Sequence, residues 1–257
     1  MKVYEIIFSP TGGTKKVSDI FAEVFANELK ADRDTIDLCD SNIDFSTVVL
    51  TKEDICIIAA PAYGGRVPAT AIDRLKQIKG NQSKALLIAV YGNREFDDTL
   101  MELKDTAIHC DFIPVAGVGA IAEHSIVCQF AASRPDDADY NELREFSHRI
   151  LTQLENKQEF SFNVPGNYPY KEYKGGAAKP VTDSSCGNCG LCAKKCPVGA
   201  ISLEEPSKTN TDICISCMRC ISVCPNHSRQ LSPEVTEALT QKLAPLCSER
   251  KQNTLYI

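Results

Sequence analysis

The chain has 257 residues, 43% hydrophobic and 24% charged, with a net charge of −6. Such a composition belongs to a globular protein. Its apolar runs fall well short of the roughly 18 residues of a membrane span, and its charge excludes the basic face by which nucleic acid is bound. Met1 leads straight into KVYEIIF with no charged leader or cleavage site, so a cytoplasmic location is expected, where thirteen cysteines serve metal rather than disulfides.

Residues 2–8, KVYEIIF, read as an apolar strand that ends at the turn SPTGGT. A helix is expected over 14–30, where Val17, Ile20, Phe21, Val24, Phe25 and Leu29 share one face. TIDLC (35–39) and EDICIIAA (53–60) read as the second and third strands, the latter apolar throughout as a buried parallel strand should be. A helix over 68–78, a strand over 84–91, a helix over 97–109 and a strand over 112–122 follow. A last helix over 134–155 opens with Pro and Asp, as N-termini prefer. Five strands separated by helices imply a doubly wound parallel sheet.

Residues 156–180 lose all periodicity and read as a linker, with Tyr168, Tyr170 and Tyr173 placing it against a surface. The remainder, 181–257, is expected to be a small second domain that ends in a helix over 232–246, with Ser232 as N-cap and Pro233 at its first position.

That domain carries CGNCGLCAKKCP (186–197) and CISCMRCISVCP (214–225), two copies of C-x2-C-x2-C-x3-C-P. Three closely spaced thiolates wrap one [4Fe–4S] cube, while the fourth, before the proline, serves the other. Cys186, Cys189, Cys192 and Cys224 are therefore assigned to one cluster, and Cys214, Cys217, Cys220 and Cys196 to the second. Zinc would want two CxxC pairs rather than two matched sets of four. The stretch resembles the bacterial two-cluster ferredoxins. It departs from them in being near neutral, which suits a covalently attached partner, and in replacing the VGAI of the first copy by His227, Ser228 and Arg229 in the second.

In a sheet of order 2-1-3-4-5 the ligand sits at the carboxyl ends of strands 1 and 3. SPTGGT there offers Ser9, Thr11, Gly12, Gly13 and Thr14 at a helix start, which reads either as a phosphate cradle or as a plain tight turn. Pro61, Ala62, Tyr63, Gly64 and Gly65 form the next loop, with Tyr63 as an aromatic plate. Tyr91, Gly92, Asn93, Phe96 and Asp98 lie on the third, where Phe96 is a second plate. A cradle and two plates describe an FMN pocket.

The whole chain is similar to the flavodoxin–ferredoxin fusion proteins, on FSPTGGT, APAYGGRVP, VYGNREFDD, AEHS and GNYPY. The resemblance covers residues 1–155 as a short-chain flavodoxin, with Gly13 where that family has Asn. It implies FMN on Ser9 to Thr14, flanked by Tyr63 and Phe96, with Asn93 at the pyrimidine edge. The function implied is electron relay between two [4Fe–4S] clusters and FMN and on to redox partner proteins. The alternative is an FMN-dependent reductase of a quinone or nitro compound.

Several features keep two readings. GVGAIA (117–122) fits a dinucleotide fingerprint but lacks the following βαβ unit. His124 either approaches the flavin or is held structurally. Glu95, Asp97 and Asp98 either start the helix or lower the flavin's potential. Cys39, Cys56, Cys110, Cys128 and Cys247 read as buried thiols.

Overall fold

Three nearly unbroken apolar stretches, ICIIAAP, KALLIAVY and IPVAGVGAI, fix the layout, because strands buried on both sides need helices over both faces. The computed structural model describes residues 1–156, 160–173 and 175–257. Its first part runs β1 (Lys2–Ile7), α1 (Gly13–Leu29), β2 (Asp32–Asp37), a 3-10 turn (Phe45–Thr47), β3 (Ile55–Pro61), α2 (Ala69–Leu75) and β4 (Lys84–Tyr91). Then come α3 (Thr99–His109), β5 (Ile113–Ile121) and α4 (Asp137–Glu155). The five strands pair in parallel in the expected order, β2-β1-β3-β4-β5.

Alternate side chains feed two cores. Ile6, Ile58 and Leu87 meet Leu75 of α2 and Leu100 and Leu103 of α3. On the other face Ile7, Ile57, Leu86 and Ile88 meet Val17, Phe21 and Phe25 of α1 and Leu143 and Ile150 of α4. Each Leu, Ile or Phe buried in this way contributes about 1.5–3 kcal/mol.

Two boundaries differ from the sequence reading for physical reasons. β2 covers Asp32–Asp37 instead of 35–39; it is an edge strand in which only Ile36 is buried, so its polar first half carried no apolar signal. α4 begins at Asp137, after Asp136 closes a capping box with Asp139.

The remaining elements are β6 (Val181–Thr182), the single turns α5 (Leu191–Lys194) and α6 (Arg219–Ser222), β7 (Arg229–Gln230), α7 (Pro233–Cys247) and β8 (Thr254–Tyr256). β6 pairs antiparallel with β7, and α7 is capped by Ser232 with Pro233 in its first turn, as expected. β8 corrects the five-strand expectation, because it adds antiparallel to β5 as a sixth strand. α7 also packs Leu239, Leu243 and Cys247 on Val127 and Phe130 of the first part. The end of the stretch 181–257 returns to the large sheet.

The linker expected over 156–180 includes residues 157–159 and 174, which lie outside the described residues. Where described, it is held against α3: the hydroxyls of Tyr168 and Tyr170 both donate to Asp105. The Arg66 guanidinium covers the Tyr170 ring at 4.8 Å. Among the described residues no helix is long and apolar enough to cross a membrane.

Buried polar groups secure the C-terminal return. Asn253 Oδ1 accepts from the Ile121 amide at 2.9 Å, and its Nδ2 donates to Asp139 at 2.9 Å and Glu142 at 2.6 Å. Arg134 bonds the same Asp139 and donates to the Lys251 carbonyl at 2.9 Å. After β5, His124 Nδ1 accepts from the amides of Ile126 and Val127 at 3.2 and 3.1 Å, so this histidine is held structurally with its neutral proton on Nε2, and it also lines the cleft at the strand ends.

Asn253→Ala leaves the buried Ile121 amide without an acceptor and should cost about 1–3 kcal/mol, read as a lower urea midpoint at unchanged m-value. Burial lowers the pKa of His124 below the ordinary 6.5. The unfolded chain then binds the proton first, so this contribution to stability is complete above that value and is lost as pH falls below it. His124→Asn, whose side-chain oxygen replaces the Nδ1 acceptor, should show a flatter stability profile than the natural protein between pH 7 and pH 5 in urea titrations.

Candidate functional site

The two cysteine copies share one backbone. Asn188 and Ser216, Gly190 and Met218, and Gly199 and His227 are pairs at matching positions, and all six have positive φ, between 50° and 72°. Glycine takes this conformation freely, whereas Met218 and His227 adopt it at a cost of about 1–2 kcal/mol each. The left-handed residues beside right-handed turns aim successive amides inward, a shape suited to anionic groups and iron–sulfur sites.

Inside this frame the thiols sort into two groups of four. One cavity is lined by Cys186, Cys189, Cys192 and Cys224, the other by Cys196, Cys214, Cys217 and Cys220. Each group takes three thiols from one copy and one from the other. Among the described residues no three metal-binding side chains are grouped to hold a single metal ion; the four thiols of each group line a common cavity. Burial pushes the Cys217 thiol up to about 12 and Cys220 up to about 11, with neighbouring thiols adding to both shifts. Ligand thiols must lose their protons, so iron would supply the missing positive charge.

Arg229, only 2% exposed, lies on the first cavity and donates to Thr209 at 2.8 Å and to the Pro206 carbonyl. The departure from VGAI in the second copy is therefore a buried cation.

The carboxyl ends of β1, β3, β4 and β5 open into a cleft of ≈ 770 Å³, within the usual range for ligand sites. Of the expected cofactor residues, Thr11, Gly13, Thr14, Pro61, Ala62, Tyr63, Gly64, Tyr91 and Gly92 line it. The end of α1 there has no side-chain cap from its N-cap residue and no acidic residue in its first turn, so the amides of Gly13 and Thr14 remain available for an anion. Gly12 has φ +92°, with open space where a Cβ would stand. Ser9 Oγ accepts from the Lys15 amide at 2.9 Å and so shapes the turn from behind.

Four expected contacts are corrected. Phe96 is 6% exposed and faces the core against Tyr91, at 5.3 Å between ring centres, so it is not a plate over the cleft. Asn93 is 3% exposed; its Nδ2 donates to the carbonyls of Cys247 and Glu249, both at 2.7 Å, and its Oδ1 accepts from the Lys251 amide at 3.2 Å. Asp98, 2% exposed, accepts from the amides of Asn167 and Lys171 at 2.9 and 2.6 Å. Gly65 passes under Asp97, its carbonyl taking the Asp98 amide at 3.0 Å.

The helix-start reading of the acidic group holds in position, since Asp98 is the N-cap residue of α3, and Glu95 lines the cleft. Asp98 makes no side-chain cap to α3, Glu95 pairs with Lys251, and Asp97 pairs with Arg94 and with Lys171 at 3.1 Å. The glycines of GVGAIA serve packing, since a Cβ on Gly119 would meet Phe96 and Thr254. Of the single cysteines, Cys39, Cys56, Cys110 and Cys247 are buried, but Cys128 is exposed.

The sequence reading missed the far walls of the cleft. Tyr173 and Gly175–Ala178 of the linker supply one, Ile215 and Ser216 of the second cysteine copy another, and Leu239, Leu243 and Leu246 of α7 a third. Tyr173 lies over Gly64, whose added Cβ would be 3.4 Å from its ring. Burial raises the phenol pKa of both Tyr63 and Tyr173, and the nearby Cys217 thiol acts in the same direction on each. Both rings line the cleft on its side near the Cys217 thiol. The visible signal was the leucine spacing of i, i+4 and i+7 on α7.

Residues 185–228 match the family model of the 4Fe-4S dicluster domain. Over 37 residues the chain is 43% identical to the uncharacterized protein MJ0726 of Methanocaldococcus jannaschii, covering 14% of this chain and 17% of that protein. Over 59 residues it is 34% identical to one subunit of an ion-translocating oxidoreductase complex of Methanosarcina acetivorans, covering 23% of this chain and 22% of the relative. The chain thus spans about a fifth of these relatives' length.

Similar solved structures include oxidised flavodoxin 1 of Bacillus cereus, at 19% identity and TM-score 0.45 over 59% of this chain and 98% of that one. Rubredoxin oxygen:oxidoreductase of Desulfovibrio gigas shows 17% identity and TM-score 0.43 over 60% of this chain and 37% of that one. Strand order in the large sheet, with helices on both faces, gives the fold without them. Taken with the matched cysteine stretch, it makes the chain a fusion of a flavodoxin-like α/β domain with a 4Fe-4S dicluster domain, the composition of an electron-transfer protein.

Proposed function

We propose that the cleft binds FMN, that each thiol group holds one [4Fe–4S] cluster, and that the chain relays single electrons between them and a redox partner protein in the cytoplasm. The observation that carries this reading is the presence of two crossed sets of four thiols, the second of which shares Ile215 with a cleft at the carboxyl ends of the strands. Cys186, Cys189, Cys192 and Cys224 ligate one cluster; Cys214, Cys217, Cys220 and Cys196 ligate the other. Thiols kept for metal suit a reducing compartment.

Flavin supplies the ability to exchange electrons singly or in pairs, where clusters exchange them singly. The residues of the chain do the holding. Thr11 and the amides of Gly13 and Thr14 at the start of α1 receive the phosphate, and Gly12 leaves room for it. Tyr63 and Tyr173 bound the cleft with aromatic surface. His124, neutral and fixed through Nδ1, presents a single N–H. Asn93 and Asp98 act one step back, by holding α7 and the linker in place.

Anaerobically purified protein should be brown, and should contain about eight iron atoms and one FMN per chain; zinc in place of iron, or no flavin, would refute the reading. Gly12→Asp places a carboxylate in open space at the helix end, at the cost of backbone strain because φ there is +92°. It should weaken FMN at least tenfold in a fluorescence titration and leave riboflavin, which has no phosphate, nearly unaffected. Equal losses for both would move the phosphate away from this loop.

A further inference from the structure

The two thiol groups differ in their position relative to the cleft. Ile215, between Cys214 and Cys217, lines both the cleft and the cavity of the second group, so one side chain forms the wall between them. Its neighbour Ser216 also lines the cleft and donates to the Gly176 carbonyl at 2.8 Å, which ties this loop to the linker. Further ties fix the same half of the cysteine unit to the large sheet. Arg219 donates to the Ser9 carbonyl at 3.4 Å and pairs with Asp37 at 3.6 Å, and Arg74 donates to the Pro197 carbonyl at 2.7 Å.

The first group has no such position. Among the described residues its cavity and the cleft share no lining side chain, and Gly187, Asn188 and Cys189 on its rim are exposed. What joins the two groups is a small apolar cluster of Cys192, Ile201 and Cys220, with one thiol from each.

We infer that the two clusters stand in series: the one on Cys186, Cys189, Cys192 and Cys224 is the outer station, the one on Cys196, Cys214, Cys217 and Cys220 is the inner station, and Ile215 is the contact between the inner station and the flavin. The inference rests on the function proposed above. An electron taken from a reduced one-electron carrier protein oxidises that carrier by one, passes through the outer and then the inner station, and reduces the ring in the cleft by one. A second passage, with protons drawn from water, completes the two-electron reduction. Run in reverse, the same order oxidises the ring and reduces the carrier. In either direction electron exchange between the cleft and the outer station passes through the inner one.

The test uses the full chain, with iron and flavin counted first. Cys189→Ser and Cys214→Ser each perturb one station, and so identify which electron-paramagnetic-resonance signal belongs to which cluster. Potentiometric titrations are then run on flavin-depleted protein and on the same protein reloaded with FMN. The signal altered by Cys214→Ser should shift its midpoint on FMN binding, and the signal altered by Cys189→Ser should stay in place. The opposite pattern, or equal shifts, would overturn the order.

Where a serine variant fails to keep its cluster, Ile215→Ala serves instead. It should change the rate of electron exchange between flavin and clusters after flash reduction at least threefold, while Leu203→Ala, an exposed side chain lining neither cavity, should not change it. An unchanged rate in Ile215→Ala would overturn the inference. A chain lacking iron or flavin would sink the proposed function itself, which the initial count reveals separately from the order of stations.

Discussion

One loop, between β4 and α3, ties the molecule together by holding two distant stretches of main chain. Asn93 takes the chain just after α7 with three hydrogen bonds, and Asp98 takes the linker with two backbone amides. Both side chains are almost fully buried, so each must find its partners or leave a desolvated group unpaired. A hydrogen bond to a charged group contributes about 1.5–3 kcal/mol, and Asp98 receives at least two. Arg66 strengthens the linker clamp: it pairs with Glu102 through two bonds and donates to the Lys171 carbonyl at 2.7 Å.

These clamps decide what surrounds the cleft. An open flavodoxin-like sheet supplies the floor and the strand-end loops only. Here the fixed linker brings Tyr173 over Gly64, and the fixed end of α7 brings a leucine stripe over the opposite side. The cysteine unit then needs no large interface of its own to stay beside the cleft, because the chain enters it from a clamped linker and leaves it toward a clamped helix. Fusion acts through position as well as through raised local concentration.

How much of this was legible in the sequence follows from the range of the interactions. The central strands announced themselves because burial on both faces demands unbroken apolar runs, and the crossed thiols because their spacing is local. Asn93, Phe96 and Asp98 were misread because their partners lie far along the chain, 154 residues away in the case of the Asn93–Cys247 bond. Phe96 looked like an exposed loop aromatic. It turns inward because Gly119 of β5 leaves a slot that a Cβ, 2.6 Å from its ring, would close. β8 escaped notice because three residues at an edge carry no periodicity, and its pairing depends on Asn253 and Arg134 holding the chain alongside.

The duplication of the cysteine motif also conceals an asymmetry. Where the first copy has Gly190, the second has Met218, which accepts a strained backbone and fills the wall of its cavity together with Ile201 and Ile215. The first cavity is instead lined by Asn188, Asn226 and Ser228, while each cavity carries one guanidinium, Arg229 on the first and Arg219 on the second. Hydrogen bonds, burial and local charge are the levers by which a protein sets a cluster's potential. A nearby cation and polar groups favour the more negative, reduced form, while an apolar wall disfavours it. With a guanidinium on each cavity, it is the contrast of polar side chains on the outer one with aliphatic side chains on the inner one that turns two copies of one motif into two unlike stations.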